Sequence, residues 1–231
     1  VTVVALCLTS VLSHLAASGV RHGDIKPDNI VSVTATIVGI ESLRLIDFGS
    51  AVSNRDGTTA RSTSTGGALT GHTLTYAPPE IMQLLRGWDA LLTDKSDMWS
   101  AAVTLLELAT GTGLFDDADD PAGAIKIREK LRDGSWSFDL DCLSVMPSES
   151  RTLWDQQSDF VRFFVCGCLE PDADTRMSAE QLSQSSECAA ATAAVRVGAV
   201  DLALRVEIAD LKIRSRQWQL KTAHRRMKSQ L

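Results

Sequence analysis

Apolar residues at Val4, Leu8, Val11, Leu12 and Leu15 recur at three- and four-residue steps. That spacing predicts a helix over residues 1–18, stopped by Gly19. Two short β-like runs follow, Asn29–Val33 and Leu43–Ile46. Residues 50–75 are full of Gly, Ser and Thr and hold almost no core-forming side chains, so a loop is expected there. Helical patterns return at about 79–86 and 97–110. The second is apolar nearly all round, the mark of a helix buried on every side. Further helices are expected at 121–133, 156–169 and 178–187. From Ala189 the texture changes. Ala193, Val197, Val200, Leu204, Ile208, Leu211 and Trp218 follow mostly 3–4 spacing, which predicts a long amphipathic helix with basic residues on its other faces. A helix packed on its own domain and a self-pairing or partner-binding coiled coil account for this short repeat equally well. Gly198 lowers helix propensity near its start.

The chain of 231 residues is long enough for one sizeable core, or for one domain and an appendage. Its charge is uneven. Residues 205–231 carry eight Lys or Arg against Glu207 and Asp210, a net +6, which leaves −12 on residues 1–204 out of −6 overall. An acidic body argues against general nucleic-acid binding. Five cysteines at irregular spacing do not form a disulfide framework; they are expected to be buried free thiols in a reducing, intracellular compartment, the cytoplasm. The apolar run Val1–Leu12 falls short of the roughly 20 residues that span a bilayer, and no basic segment precedes it as in a signal peptide. A chain opening on Val1 instead of Met is expected to be a fragment or a processed product.

The candidate chemistry lies in five polar motifs. They are His22-Gly23-Asp24-Ile25-Lys26-Pro27-Asp28-Asn29; Asp47-Phe48-Gly49 after a β-like run; Pro78-Pro79-Glu80, with Thr73 and Tyr76 ahead of it; Asp97-Met98-Trp99-Ser100, opening the apolar helix; and Cys168-Leu169-Glu170-Pro171 with Arg176-Met177-Ser178. The first resembles the catalytic loop H-R-D-x-x-x-x-N of protein kinases, and the next two resemble the family's D-F-G and A-P-E. The others look like its D-x-W-S and closing arginine motifs. They occur in the family's order over roughly residues 1–188. On these residues the chain is similar to the C-terminal lobe of a serine/threonine-type protein kinase.

The resemblance implies a mainly α fold, a helical kinase C-lobe with a small β-hairpin region over 1–188, followed by the long C-terminal helix over 189–231. It implies transfer of a phosphoryl group from ATP, with Mg²⁺, to Ser or Thr of a protein substrate. Asp24 would be the base, Lys26 the phosphate contact, and Asn29 and Asp47 the metal ligands. Mg²⁺ prefers oxygen donors and keeps much of its water, so two such side chains plus phosphates suffice. Thr73 would help position the substrate. His22, Phe48, Gly49 and Asp97 would support the loop, Gly49 by permitting the backbone turn beyond, and Arg176 would pair with Glu80 in the interior.

Three departures from the family pattern matter. Gly23 stands where an Arg usually pairs with a phosphorylated activation loop, so phosphorylation of the loop loses its main electrostatic anchor. The Asn29-to-Asp47 interval is longer than usual and implies an enlarged hairpin. No G-x-G-x-x-G, V-A-I-K lysine or partner Glu lies upstream on this chain, so it is expected to have negligible activity alone. Two other readings are a catalytically dead kinase-like scaffold and an interaction module acting through residues 189–231. Retention of Asp24, Lys26, Asn29 and Asp47 together argues against the first.

Overall fold

The computed structural model describes residues 1–33, 42–53, 74–84, 92–114, 129–131, 135–144 and 146–196. Helices dominate, built around two apolar ones. Helix α1 (Thr2–Ala17) buries Val3, Val4, Leu6, Leu8, Leu12 and Leu15. It ends where the Gly19 amide folds back onto the Ala16 carbonyl, with Gly19 at φ 65. After the short helix α2 (Pro79–Leu84) comes α3 (Asp94–Thr110), whose Met98, Trp99, Val103, Leu105 and Leu106 are almost fully enclosed. Ala101, Ala102 and Ala109 on the same helix let neighbouring helices come close.

Helix α3 starts three residues before the expected Asp97. The Thr93 hydroxyl accepts the Lys95 amide, and the Ser96 hydroxyl accepts the Thr93 amide, so a reciprocal cap fixes the earlier start. An unexpected helix, α4 (Ser148–Asp155), precedes the one expected over 156–169, which is α5 (Asp159–Cys168). Ser158 separates them by leaving helical geometry and accepting the Val161 amide. The polar sequence of α4 hid it from a search for apolar periodicity; its Trp154 is the buried anchor. A chain of aromatic contacts runs from Trp99 through Trp136 and Phe138 to Trp154, with centroids 5.9, 6.3 and 5.5 Å apart. The helix expected over 178–187 divides into α6 (Ala179–Ser183), with a Ser178/Gln181 capping box, and α7 (Ser186–Arg196), which runs past the expected end.

Among the described residues four short strands form two antiparallel pairs. Strand β1 (Val20–Arg21) pairs with β4 (Val52–Ser53), and neither was expected, because two residues carry no readable alternation. Strands β2 (Ile30–Ser32) and β3 (Leu43–Leu45) form the expected hairpin, with Ile30 opposite Leu45. The connection between them, most of the expected 121–133 helix, and residues 197–231 lie outside the described residues. Helix α7 runs through residue 189 unbroken, with Cys188 and Ala191 buried against the core. No described helix is long and apolar enough to cross a membrane.

The cysteines correct one expectation. All five are free, and Cys7, Cys142, Cys168 and Cys188 are buried, but Cys166 is exposed. Two positions on a helix turn through roughly 200°, so Cys168 faces the core of α5 and Cys166 faces out. Burial pushes the Cys142 thiol up to about 12 and moves Cys168 the same way.

Candidate active site

The site is built on the segment between β1 and β2. Helix α3 positions it from below. Both carboxylate oxygens of Asp97 accept backbone amides, Oδ2 from His22 at 2.6 Å and Oδ1 from Gly23 at 2.9 Å. Gly23 sits at φ 82, a left-handed conformation that glycine adopts without a Cβ clash. Two turns along α3 the Thr104 hydroxyl lies 3.5 Å from the Ile25 carbonyl. One buried side chain thus holds the two amides immediately before Asp24. Burial pushes the Asp97 carboxyl up, opposed by those two amides and by the charge of Arg21.

Asp24 is itself buried, at 8% exposure. The Lys26 ammonium lies 2.6 Å from its Oδ2, and the Asn29 amide nitrogen donates to its backbone carbonyl at 2.7 Å and to Oδ2 at 3.2 Å. The 3₁₀ turn Pro27–Asn29, closed by the Asn29 amide on the Lys26 carbonyl, brings Asn29 back over Asp24.

The Asp47 segment is tethered to this loop through Ile46. Its amide donates to the Asn29 carbonyl at 2.9 Å, and its carbonyl lies 3.1 Å from His22 Nε2. His22 Nδ1 faces the Asp24 amide at 3.3 Å, so the network fits a neutral ring protonated at Nε2. The Phe48 ring meets His22 edge-on at 4.7 Å and is 47% exposed. Asp47 has φ 64 and ψ 73, a conformation that Asp tolerates better than most residues, and its carboxylate accepts the Gly49 amide at 3.2 Å. The structure corrects the reason for Gly49. Its φ is not positive; a Cβ there would lie 3.1 Å from Asp47 Oδ1, so the position keeps space for that carboxylate.

These donors suit a hard cation. The Asn29 nitrogen is spent on Asp24, which leaves its amide oxygen as the acceptor, and Asp47 is an exposed carboxylate. Two oxygen donors of this kind match Mg²⁺, whose remaining positions go to water and phosphate oxygens. Among the described residues no group of three or more His, Cys, Asp or Glu gathers to hold a metal by itself.

Glu80 and Arg176 do pair, as expected. Arg176 Nη1 and Nη2 donate to the two Glu80 oxygens at 2.8 and 3.1 Å. Its other N–H groups reach the carbonyls of Glu170, Lys95 and Pro171, and its guanidinium lies 5.2 Å from the Trp99 ring centroid. The Ser96 hydroxyl adds a bond to Glu80 at 2.8 Å. Thr73 lies outside the described residues. Tyr76, three positions on, donates to Glu107 at 2.6 Å, a partner that no motif announced.

Sequence reasoning also missed Arg21. It is 2% exposed, and its Nε and Nη2 have no acceptor among the described residues. A charged residue next to a motif reads as a surface residue unless the tertiary packing is known.

The family model described as "Protein kinase domain" matches residues 1–186. The chain is 31% identical to an Aurora kinase of Schizosaccharomyces pombe over 179 residues, covering 76% of this chain and 39% of that protein. It is 30% identical over 176 residues to the serine/threonine-protein kinase stk11 of Xenopus laevis, covering 75% of this chain and 33% of that protein. It is 29% identical over 174 residues to mitogen-activated protein kinase kinase kinase 15 of Mus musculus, covering 75% of this chain and 11% of that protein. The chain therefore spans well under half the length of these curated relatives.

Proposed function

The chain belongs to the protein kinase domain family, and on that footing we propose that it forms the C-terminal lobe of a serine/threonine kinase, carrying its catalytic corner. One observation carries the reading: Lys26 and Asn29 converge on the Asp24 carboxylate, while Ile46 ties the Asp47 segment to the same loop.

In this reading ATP with Mg²⁺ supplies the phosphoryl group and the positive charge that steadies its transfer. Asp24 orients the substrate Ser or Thr hydroxyl and takes its proton at a carboxylate oxygen. Lys26, its ammonium 2.6 Å from Asp24 Oδ2, supplies the cation that would contact the transferred phosphoryl group. Asn29 fixes the Asp24 carboxylate through its nitrogen and offers its amide oxygen to the metal. Asp47 offers a carboxylate, held in its unusual backbone conformation by Gly49 and the Ile46 tether. Asp97 keeps the loop preorganised, so little of the barrier goes into arranging the groups.

The family's glycine-rich loop and its lysine are not present in residues 1–231, so residues 1–231 alone should transfer phosphate negligibly. The test uses the full-length protein, radiolabelled ATP, Mg²⁺ and a protein substrate, followed by acid hydrolysis of the product. Labelled phosphoserine or phosphothreonine is expected. No labelled product, or phosphotyrosine alone, refutes the assignment.

A further inference from the structure

Arg21 is a charged side chain enclosed by protein with no direct ionic partner among the described residues, a costly arrangement unless its charge serves something nearby. Its position shows what that is. Arg21 is the last residue of β1, paired with Val52 of β4, and the next peptide carries the His22 amide that Asp97 accepts at 2.6 Å. Asp97 is equally buried, at 3% exposure, and all of its hydrogen bonds come from neutral amides. Amides solvate a carboxylate but do not cancel its charge. The nearby Glu80 is already matched by Arg176 through two hydrogen bonds. Asp24 is matched by Lys26, which leaves, among the described residues, one buried anion, Asp97, and one buried cation, Arg21, on adjoining elements.

We infer that Arg21 is a positioning residue: its guanidinium is the counter-charge that keeps Asp97 ionised, and ionised Asp97 is what holds the His22 and Gly23 amides ahead of Asp24. The two act without touching, and in a medium of low polarisability a charge is felt beyond contact distance. The electrostatics of each group agree. Burial lowers the Arg21 pKa while Asp97 and then Glu80 raise it, and Arg21 is among the groups lowering that of Asp97. The other charged or titratable groups around Asp97 are His22, Asp24 and Lys26 on the loop, Glu80 on α2 and Arg176. Lys26 is engaged by Asp24 and Arg176 by Glu80. A single sequence gives no sign of this role.

The sign of the pH effect follows from the direction of the Asp97 shift. A carboxyl raised by burial favours folding less once pH passes above its unfolded value, because the folded state resists losing the proton. Without Arg21 the folded value rises further. The cost of losing Arg21 is therefore largest at neutral pH and shrinks as pH falls and Asp97 takes up its proton. Loss of packing alone has no such dependence.

The inference rests on the catalytic-loop reading for its meaning, but its test reads folding, so the two can fail separately. Melting temperatures of the full chain are measured for Arg21→Met, Arg21→Lys, Asp97→Asn and Arg21→Met/Asp97→Asn, at about pH 8 and about pH 5. Arg21→Met should lower the melting temperature by roughly 10 °C at the higher pH and clearly less at the lower. Arg21→Lys should keep most of the stability. In the Asp97→Asn background Arg21→Met should be neutral or stabilising, since it then removes an unneeded buried charge. If Arg21→Met alone does not fold, the double variant still must. Equal effects of Arg21→Met in both backgrounds and at both pH values, or a double variant less stable than Asp97→Asn, would overturn the inference.

Discussion

Two charged constellations lie close together in this molecule, and they are built in opposite ways. Around Glu80 and Arg176 the guanidinium donates to two carboxylate oxygens and three carbonyls, and both side chains are buried. Around Asp24 the carboxylate is bound by Lys26 and Asn29, while Asp47 and Phe48 are exposed. The first constellation closes its hydrogen bonds on itself and can do no chemistry. The second keeps acceptor oxygens unspent at Asn29 and Asp47. The residue types are alike, so a charged motif becomes a site or a strut according to what its neighbours leave open.

The sharpest way to break the comparison is to open the closed pair. Arg176→Ala leaves Glu80 buried without its cation and should cost roughly 3–5 kcal/mol. The full chain should melt far lower; an unchanged melting curve would show that the pair contributes nothing to holding α2 against the rest. Next comes the open corner. Asp47→Asn should raise the Mg²⁺ concentration needed for transfer and slow it about tenfold, roughly 1.4 kcal/mol of barrier, with melting unaltered. If melting falls while the Mg²⁺ dependence stays fixed, Asp47 is structural.

Smaller effects test how the struts are set. Thr93→Ala removes the cap of α3 and should cost about 1 kcal/mol, while Thr93→Ser should cost little. A thiol-alkylating reagent applied near neutral pH to the folded chain should label Cys166 before the buried thiols. Cys142, pushed up to about 12 by burial, has almost no thiolate at that pH and gains reactivity only as pH climbs toward that value. Labelling of Cys142 and Cys166 at the same rate would show that the π-helical turn Phe138–Leu143 opens readily.

Much of this was legible in the sequence, for identifiable reasons. The Glu80–Arg176 pair, the Asp97 brace and the β2–β3 hairpin each rest on motif residues with strong local requirements. Helix α3 was legible because few other patterns are apolar on every face. Helix α4 was not, since its stability comes from Trp154 and its neighbours more than from an apolar stripe. The α3 start was misplaced because a reciprocal Thr/Ser cap resembles ordinary polar sequence. Arg21 and the Tyr76–Glu107 bond depend on residues brought together across the fold, which spacing along one chain does not encode.

The central claim is that the open corner is a phosphoryl-transfer site with Asp24 as its base. The direct measurement is the transfer rate of the full-length protein at saturating ATP and Mg²⁺, wild type against Asp24→Asn, with the melting temperature of each recorded alongside. The account predicts at least a hundredfold loss, about 2.7 kcal/mol of barrier, with melting nearly unchanged. Equal rates in the two proteins, or no transfer by the wild type, would contradict it.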